Sequence, residues 1–194
     1  MRNGETIMHK QSEHLRFKTQ ALETFCRDVF ISSGLNQEQA TQSAEVMVAA
    51  DVRGIPSHGI GRLWRYVNGL KSGLMLVDAK PEIVADTPGS LVIDAHGGMG
   101  FPVSVDTMNR IIEKASVNGS AFGCVRDSNH FGIAGFYAMQ ALERDMIGIA
   151  ATNKEFEHEA EVKRSGVPLF AETVASLEKI SRETAVPMPR AIDP

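Results

Sequence analysis

The chain has 194 residues, 43% of them hydrophobic and 23% charged, with a formal net charge of −4. That length supports one good core or two small lobes sharing an interface. No basic stripe points to nucleic acid, no apolar run approaches the roughly 18 residues of a membrane span, and polar Met1 to Glu13 has no signal core, so the cytoplasm is the expected compartment.

Residues 1–13 read as a polar tail. From about Leu15 to Ser33, the stripe Leu22, Phe25, Val29 and Phe30 predicts a core-facing helix, stopped at Gly34. Asn36 with Gln39 forms a capping box for a second helix, which ends near Arg53 ahead of Gly54. Cys26 and Cys124 are isolated thiols in apolar contexts, which predicts burial for both. A third helix is expected over the segment around His58, closed by Gly73, giving a helical lobe over residues 14–75.

Beyond it the texture changes. Glu82–Ala85 and Leu91–Asp94 are short strand candidates around the turn signal Thr87-Pro88-Gly89-Ser90. Pro102 to Ala115 has helical spacing through Val105, Met108 and Ile112, and Asn118-Gly119 ends it. Ala121–Arg126 reads as a strand, Ile133–Arg144 as a helix and Ile147–Ala151 as a further buried strand. This order implies a partly parallel sheet in an α/β lobe over residues 76–153. Residues 154–194 read as a C-terminal helical segment: Glu155–Ser165 charged, a break at Gly166-Val167-Pro168, an amphipathic helix over Phe170–Glu183, then Pro187 and Pro189.

Three constellations carry chemistry. In Ser57-His58-Gly59-Ile60-Gly61-Arg62, continuing to Tyr66, a single helix would stack His58, Arg62 and Tyr66 on one face and turn Leu63, Val67 and Leu70 inward. Such a face suits a small carboxylate, held bidentately by Arg62 while His58 moves a proton. A solvated face N-capped by Ser57 is the other reading of the same spacing. The second constellation, Asp127-Ser128-Asn129-His130-Phe131-Gly132, lies where a strand meets a helix, the usual place for α/β sites. It equally suits a helix-capping turn. The third, His96-Gly97-Gly98-Met99-Gly100-Phe101-Pro102, fails the dinucleotide fingerprint because Val103 stands three residues after Gly100. It reads as a tight turn that lets a ligand or another chain segment approach closely. His9, His14 and His158 sit in polar surroundings, and no Cys cluster or H-x-x-x-H pair suggests a metal.

Taken together, Ala50-Asp51-Val52-Arg53-Gly54, Ser57-His58-Gly59, Arg62, Tyr66, the turn Gly97 to Pro102, Ser128 to Gly132, and Thr152-Asn153 resemble the type-2 malate/L-lactate dehydrogenase family. That family also includes ureidoglycolate and sulfolactate dehydrogenases and cyclic-imine reductases. The resemblance runs from about residue 15 to 153. It implies an oxidoreductase that transfers hydride between NAD or NADP and a small 2-hydroxy or 2-oxo acid, on a non-Rossmann fold, as a homodimer. By the same resemblance His58 and His130 are the catalytic histidines, Arg62 holds the substrate carboxylate with Ser57 and Tyr66 in support, and Thr152 and Asn153 line the nicotinamide side. From Lys154 the sequence instead resembles the family's extreme C-terminus, so the chain reads as shortened internally, with its cofactor-binding lobe truncated. A non-catalytic remnant or dimerisation module of such an enzyme is the alternative.

Overall fold

The structure is a computed structural model that describes residues 15–152, 171–184 and 186–187. It divides into one unit over Met1–Ala151 and a second over Thr152–Pro194. The first unit is an α/β arrangement that begins with helices α1 (Thr19–Ser32) and α2 (Gln37–Val52). Asn36 starts α2 by accepting the Gln39 N–H through its side chain at 2.9 Å, which satisfies a donor that the helix itself cannot. Two 3-10 turns, Pro56–His58 and Ile60–Arg62, lead into α3 (Leu63–Lys71). Then follow β1 (Glu82–Thr87), β2 (Ser90–Asp94), α4 (Gly100–Asn118), β3 (Phe122–Arg126) and α5 (Ala134–Leu142).

The strands form a mixed sheet in the order β1-β2-β3. β1 and β2 are an antiparallel hairpin with an irregularity between Ile83 and Ala85. β2 and β3 are parallel, joined through α4, with Ser90 opposite Phe122 and Asp94 opposite Arg126. A parallel pair needs such a crossover, and the helix supplies it. Lys114 ties α4 to the hairpin through the Asp86 carboxylate, and Asn118 Nδ2 donates to the Pro88 carbonyl at 2.8 Å.

The main core joins all five helices of this unit. Phe30 of α1, Val46 and Met47 of α2, Tyr66 and Leu70 of α3, Phe101, Met108 and Ile112 of α4, and Tyr137 of α5 meet in one apolar cluster. Each large side chain buried this way is worth roughly 1.5–3 kcal/mol relative to exposure. A smaller cluster of Leu91, Ile93, Ala95 and Val103 packs β2 against α4. The second unit holds α6 (Ala171–Thr184), which matches the amphipathic helix expected there and carries the i,i+4 pairs Lys179–Glu183 and Arg182–Glu178.

Several expectations require correction. The segment after Gly54 is not one helix: Gly59, at φ −91° and ψ −153°, separates two 3-10 turns, so His58, Arg62 and Tyr66 do not share a continuous helical face. Ile147–Ala151 is no strand, because among the described residues it has no strand partner to supply its ladder. It keeps a strand's alternation, with Met146 and Ala150 against the core and Ile147 and Ile149 left 94% and 84% exposed. Phe25 is 57% exposed, since α1 turns only one side to the core and Cys26 and Phe30 occupy it. Cys124 is exposed on a strand that alternates faces, while Cys26 is fully buried. His9, His14, His158, Asn153 and the Glu155–Ser165 helix lie outside the described residues.

Candidate active site

Two histidines 72 positions apart in sequence meet at one place in the first unit. The rings of His58 and His130 stack with centroids 5.3 Å apart and 25° between planes. His58 stands on the first 3-10 turn, whose Nδ1 is 3.0 Å from the Ser57 hydroxyl. Ser57 therefore meets the imidazole rather than capping a helix. Its carbonyl accepts from Arg62 Nε, which brings the guanidinium of the second turn back over the first.

Tyr66 plays a different part from the one its spacing suggests. It is buried to 1% exposure between Phe30 and Phe101, with ring centroids 6.4 and 4.9 Å away. From there its hydroxyl reaches His130 Nδ1 at 2.8 Å. Burial pushes the phenol up to about 12, against the opposing pull of Arg62 and Arg65, so Tyr66 keeps its proton at neutral pH. The Gly132 N–H also points at His130 Nδ1, at 3.1 Å. A backbone amide only donates, so Nδ1 acts as acceptor and the proton of the neutral ring sits on Nε2.

The loop carrying His130 is held from beneath by the glycine turn. Asn129 Nδ2 donates to the carbonyls of Gly97 and Gly98 at 2.8 and 3.0 Å, and the Asn129 amide also bonds Gly98. A Cβ at Gly100 would land on the Asn129 carbonyl oxygen. Gly132, at φ +80°, turns the chain where any side chain would also strike Phe101 and Val46 at 2.8 and 2.9 Å. The Tyr137 hydroxyl donates to the Phe131 carbonyl, and the two rings stack at 5.2 Å. The side chains of this loop thus bond the backbone of the turn and of the loop itself, and α5 has no side-chain cap, which sets aside the capping-turn reading.

The glycine turn is a structural joint. A Cβ at Gly98 would meet Ala79 at 2.9 Å and the Ala95 carbonyl at 3.0 Å, and one at Gly97 would meet Leu76 at 3.5 Å. The two glycines thus let other segments of this chain pack closely against the turn, which is the close approach its sequence predicts. Thr152 is exposed and belongs to the second unit. Nearby, Asp94, His96 and Asp127 bring ligand-type atoms within 4.8 Å of one another. Asp94 is already engaged: it accepts the His96 N–H at 3.0 Å and Arg126 Nε at 2.8 Å, and these bonds, the His96 amide foremost, hold its carboxyl below the usual range.

Asp51, quoted in the sequence only as part of a motif, is the residue that composition and spacing left without a task. Its Oδ2 accepts the Ile60 N–H at 2.7 Å, at the junction between the two 3-10 turns.

Comparison with known proteins agrees with this construction. Residues 17–166 match the family model described as malate/L-lactate dehydrogenase. A malate dehydrogenase of Pyrococcus abyssi is 39% identical over 140 residues, covering 72% of this chain and 39% of the relative. An L-sulfolactate dehydrogenase of Methanocaldococcus jannaschii is 42% identical over 130 residues, covering 66% of this chain and 37% of that protein. The solved malate dehydrogenase of Pyrococcus horikoshii superposes with a TM-score of 0.66 at 37% identity, over 67% of this chain and 37% of its own. The chain spans well under half the length of these relatives, as the shortened reading expects. By the extent of the family match and the shared fold, the chain belongs to the malate/L-lactate dehydrogenase family.

Proposed function

We propose that this chain carries the acid-binding and proton-handling half of an oxidoreductase acting on small 2-hydroxy or 2-oxo acids. The observation that supports it most is the Tyr66–His130–His58 contact set beside the Arg62 guanidinium. Arg62, anchored through Nε to Ser57, presents its terminal nitrogens as a fork for the substrate carboxylate. His130 offers Nε2–H to the oxygen on C2. The Nε2–H bond stabilises the negative charge that develops on that oxygen, and Tyr66, which keeps its own proton, holds Nδ1 as the acceptor from 2.8 Å away. The proton that the oxygen takes in reduction comes from water and returns to water in oxidation. Of the two histidines His130 is therefore the one that donates a hydrogen bond to the reacting oxygen, and His58, stacked on it and bonded to Ser57, closes the other side.

Family membership implies NAD or NADP as hydride carrier, with Thr152 and Asn153 assigned to its nicotinamide side. A cytoplasmic homodimer completes the proposal; among the described residues no helix is long and apolar enough to cross a membrane. The test is purified protein with NADH or NADPH and a panel of 2-oxo acids. Cofactor oxidation is expected, and it is expected to vanish in His130→Ala. No turnover with any acid would sink the enzymatic reading.

A further inference from the structure

We propose that Asp51 is a positioning residue that sets the spacing between His58 and Arg62. The inference rests on the reading of that pair as the substrate site. Asp51 is the last residue but one of α2, and its carboxylate crosses to the junction of the two 3-10 turns. The Ile60 amide begins the second turn and has no partner inside it; Asp51 Oδ2 supplies that partner at 2.7 Å. Gly59 lies against the same carboxylate: a Cβ there would fall on Asp51 Oδ1, Cγ and Oδ2. The Gly59 φ of −91° is not left-handed, and the carboxylate against it accounts for the missing side chain. Gly59 is buried, and Asp51 is partly so.

The consequence is geometric. The first turn carries Ser57 and His58; the second carries Arg62, which bonds back to the Ser57 carbonyl. Between them the chain has a bend at Gly59, and the Asp51 carboxylate is the acceptor that pins it from outside. Without it the Ile60 N–H loses its partner, and the guanidinium and the imidazole lose their fixed separation. His130 is held independently, by Tyr66, Gly132 and the Asn129 contacts. Asp51 thus acts on one of the two histidines and not on the other.

The test uses the whole chain, with oxalate as an unreactive carboxylate probe. Calorimetry is combined with nitrogen-15 shifts of the imidazoles and of the Ile60 amide. Asp51→Ala is expected to weaken oxalate binding tenfold or more, to shift the Ile60 amide and His58 Nδ1, and to leave His130 Nδ1 at its acceptor value. Asp51→Asn retains an acceptor oxygen and is expected to stay within about threefold of the parent. Gly59→Ala, which keeps Asp51 but displaces it, is expected to reproduce the Asp51→Ala pattern, and it carries the test with Asp51→Asn if Asp51→Ala does not fold. Wild-type affinity and His58 shifts in Asp51→Ala overturn the proposal, as does a change of His130 Nδ1 to a donor value in step with His58. If the parent binds no oxalate, the carboxylate reading falls, and the Ile60 and His58 shifts alone then decide for or against Asp51.

Discussion

α2 buries seven of its sixteen residues, whereas β1 buries none of its six. The helices of the first unit close around Tyr66 and Phe101, both at 1% exposure or less, and complete the floor of the site. Among the described residues the sheet has three strands: β1 faces solvent along its length, and Ile147–Ala151 alternates like a strand without pairing. The contrast shows that Tyr66 and His130 are held by contacts this chain supplies for itself. Sheet edges are different, because a ladder needs a second strand from somewhere.

Three measurements sharpen that contrast. Phe101→Ala removes a fully buried ring under Tyr66 and beside Gly132, and is expected to cost about 3–5 kcal/mol of unfolding free energy in urea titrations. A loss below about 1 kcal/mol would break the picture of a self-sufficient helical side. Tyr66→Phe keeps the packing and deletes one hydrogen bond, with an expected cost of about 1 kcal/mol at neutral pH. The same variant has a pH signature. Burial raises Tyr66 to about 12 and Cys26 to about 11, so the folded state holds protons that the unfolded state releases. Stability from these groups is full below pH 9, where both unfolded groups keep their protons. It falls first as pH rises from 9 to 11 through Cys26, then between 10 and 12 through Tyr66. Tyr66→Phe is expected to flatten the upper part of that decline and leave the lower part. At the sheet side, Ile149→Ser is expected to shift stability by no more than about 0.5 kcal/mol, because a residue 84% exposed has little packing to lose. A large loss there would mean that the sheet side is closed in solution by contacts of its own.

Local signals in the sequence located most elements. The Asn36 cap, the Thr87 to Ser90 turn and the Asn118-Gly119 stop each act within a few residues, and each stands where its side-chain chemistry puts it. The parallel pairing of β2 and β3 was legible from the intervening helix. Long-range contacts were not. Spacing put Tyr66 beside His58 on a helix face, but its ring is drawn into the core by Phe30 and Phe101 and its hydroxyl goes to His130. The break at Gly59 follows from a carboxylate on another helix, which no window around Gly59 contains. Ile147–Ala151 has a strand's pattern, yet pattern alone does not provide a partner.

The contact between Tyr66 and His130 spans 64 positions of chain. Closing so long a loop carries an entropic cost that helices of ten to twenty residues never meet. Helices α1 and α2, joined by a turn of a few residues, can form and dock early. The tautomer of His130 is fixed only once α3, α4 and the loop after β3 have come together. In time as well as in space, the Tyr66–His130 contact lies beyond the reach of any one local element, because the loop it closes is longer than any described helix.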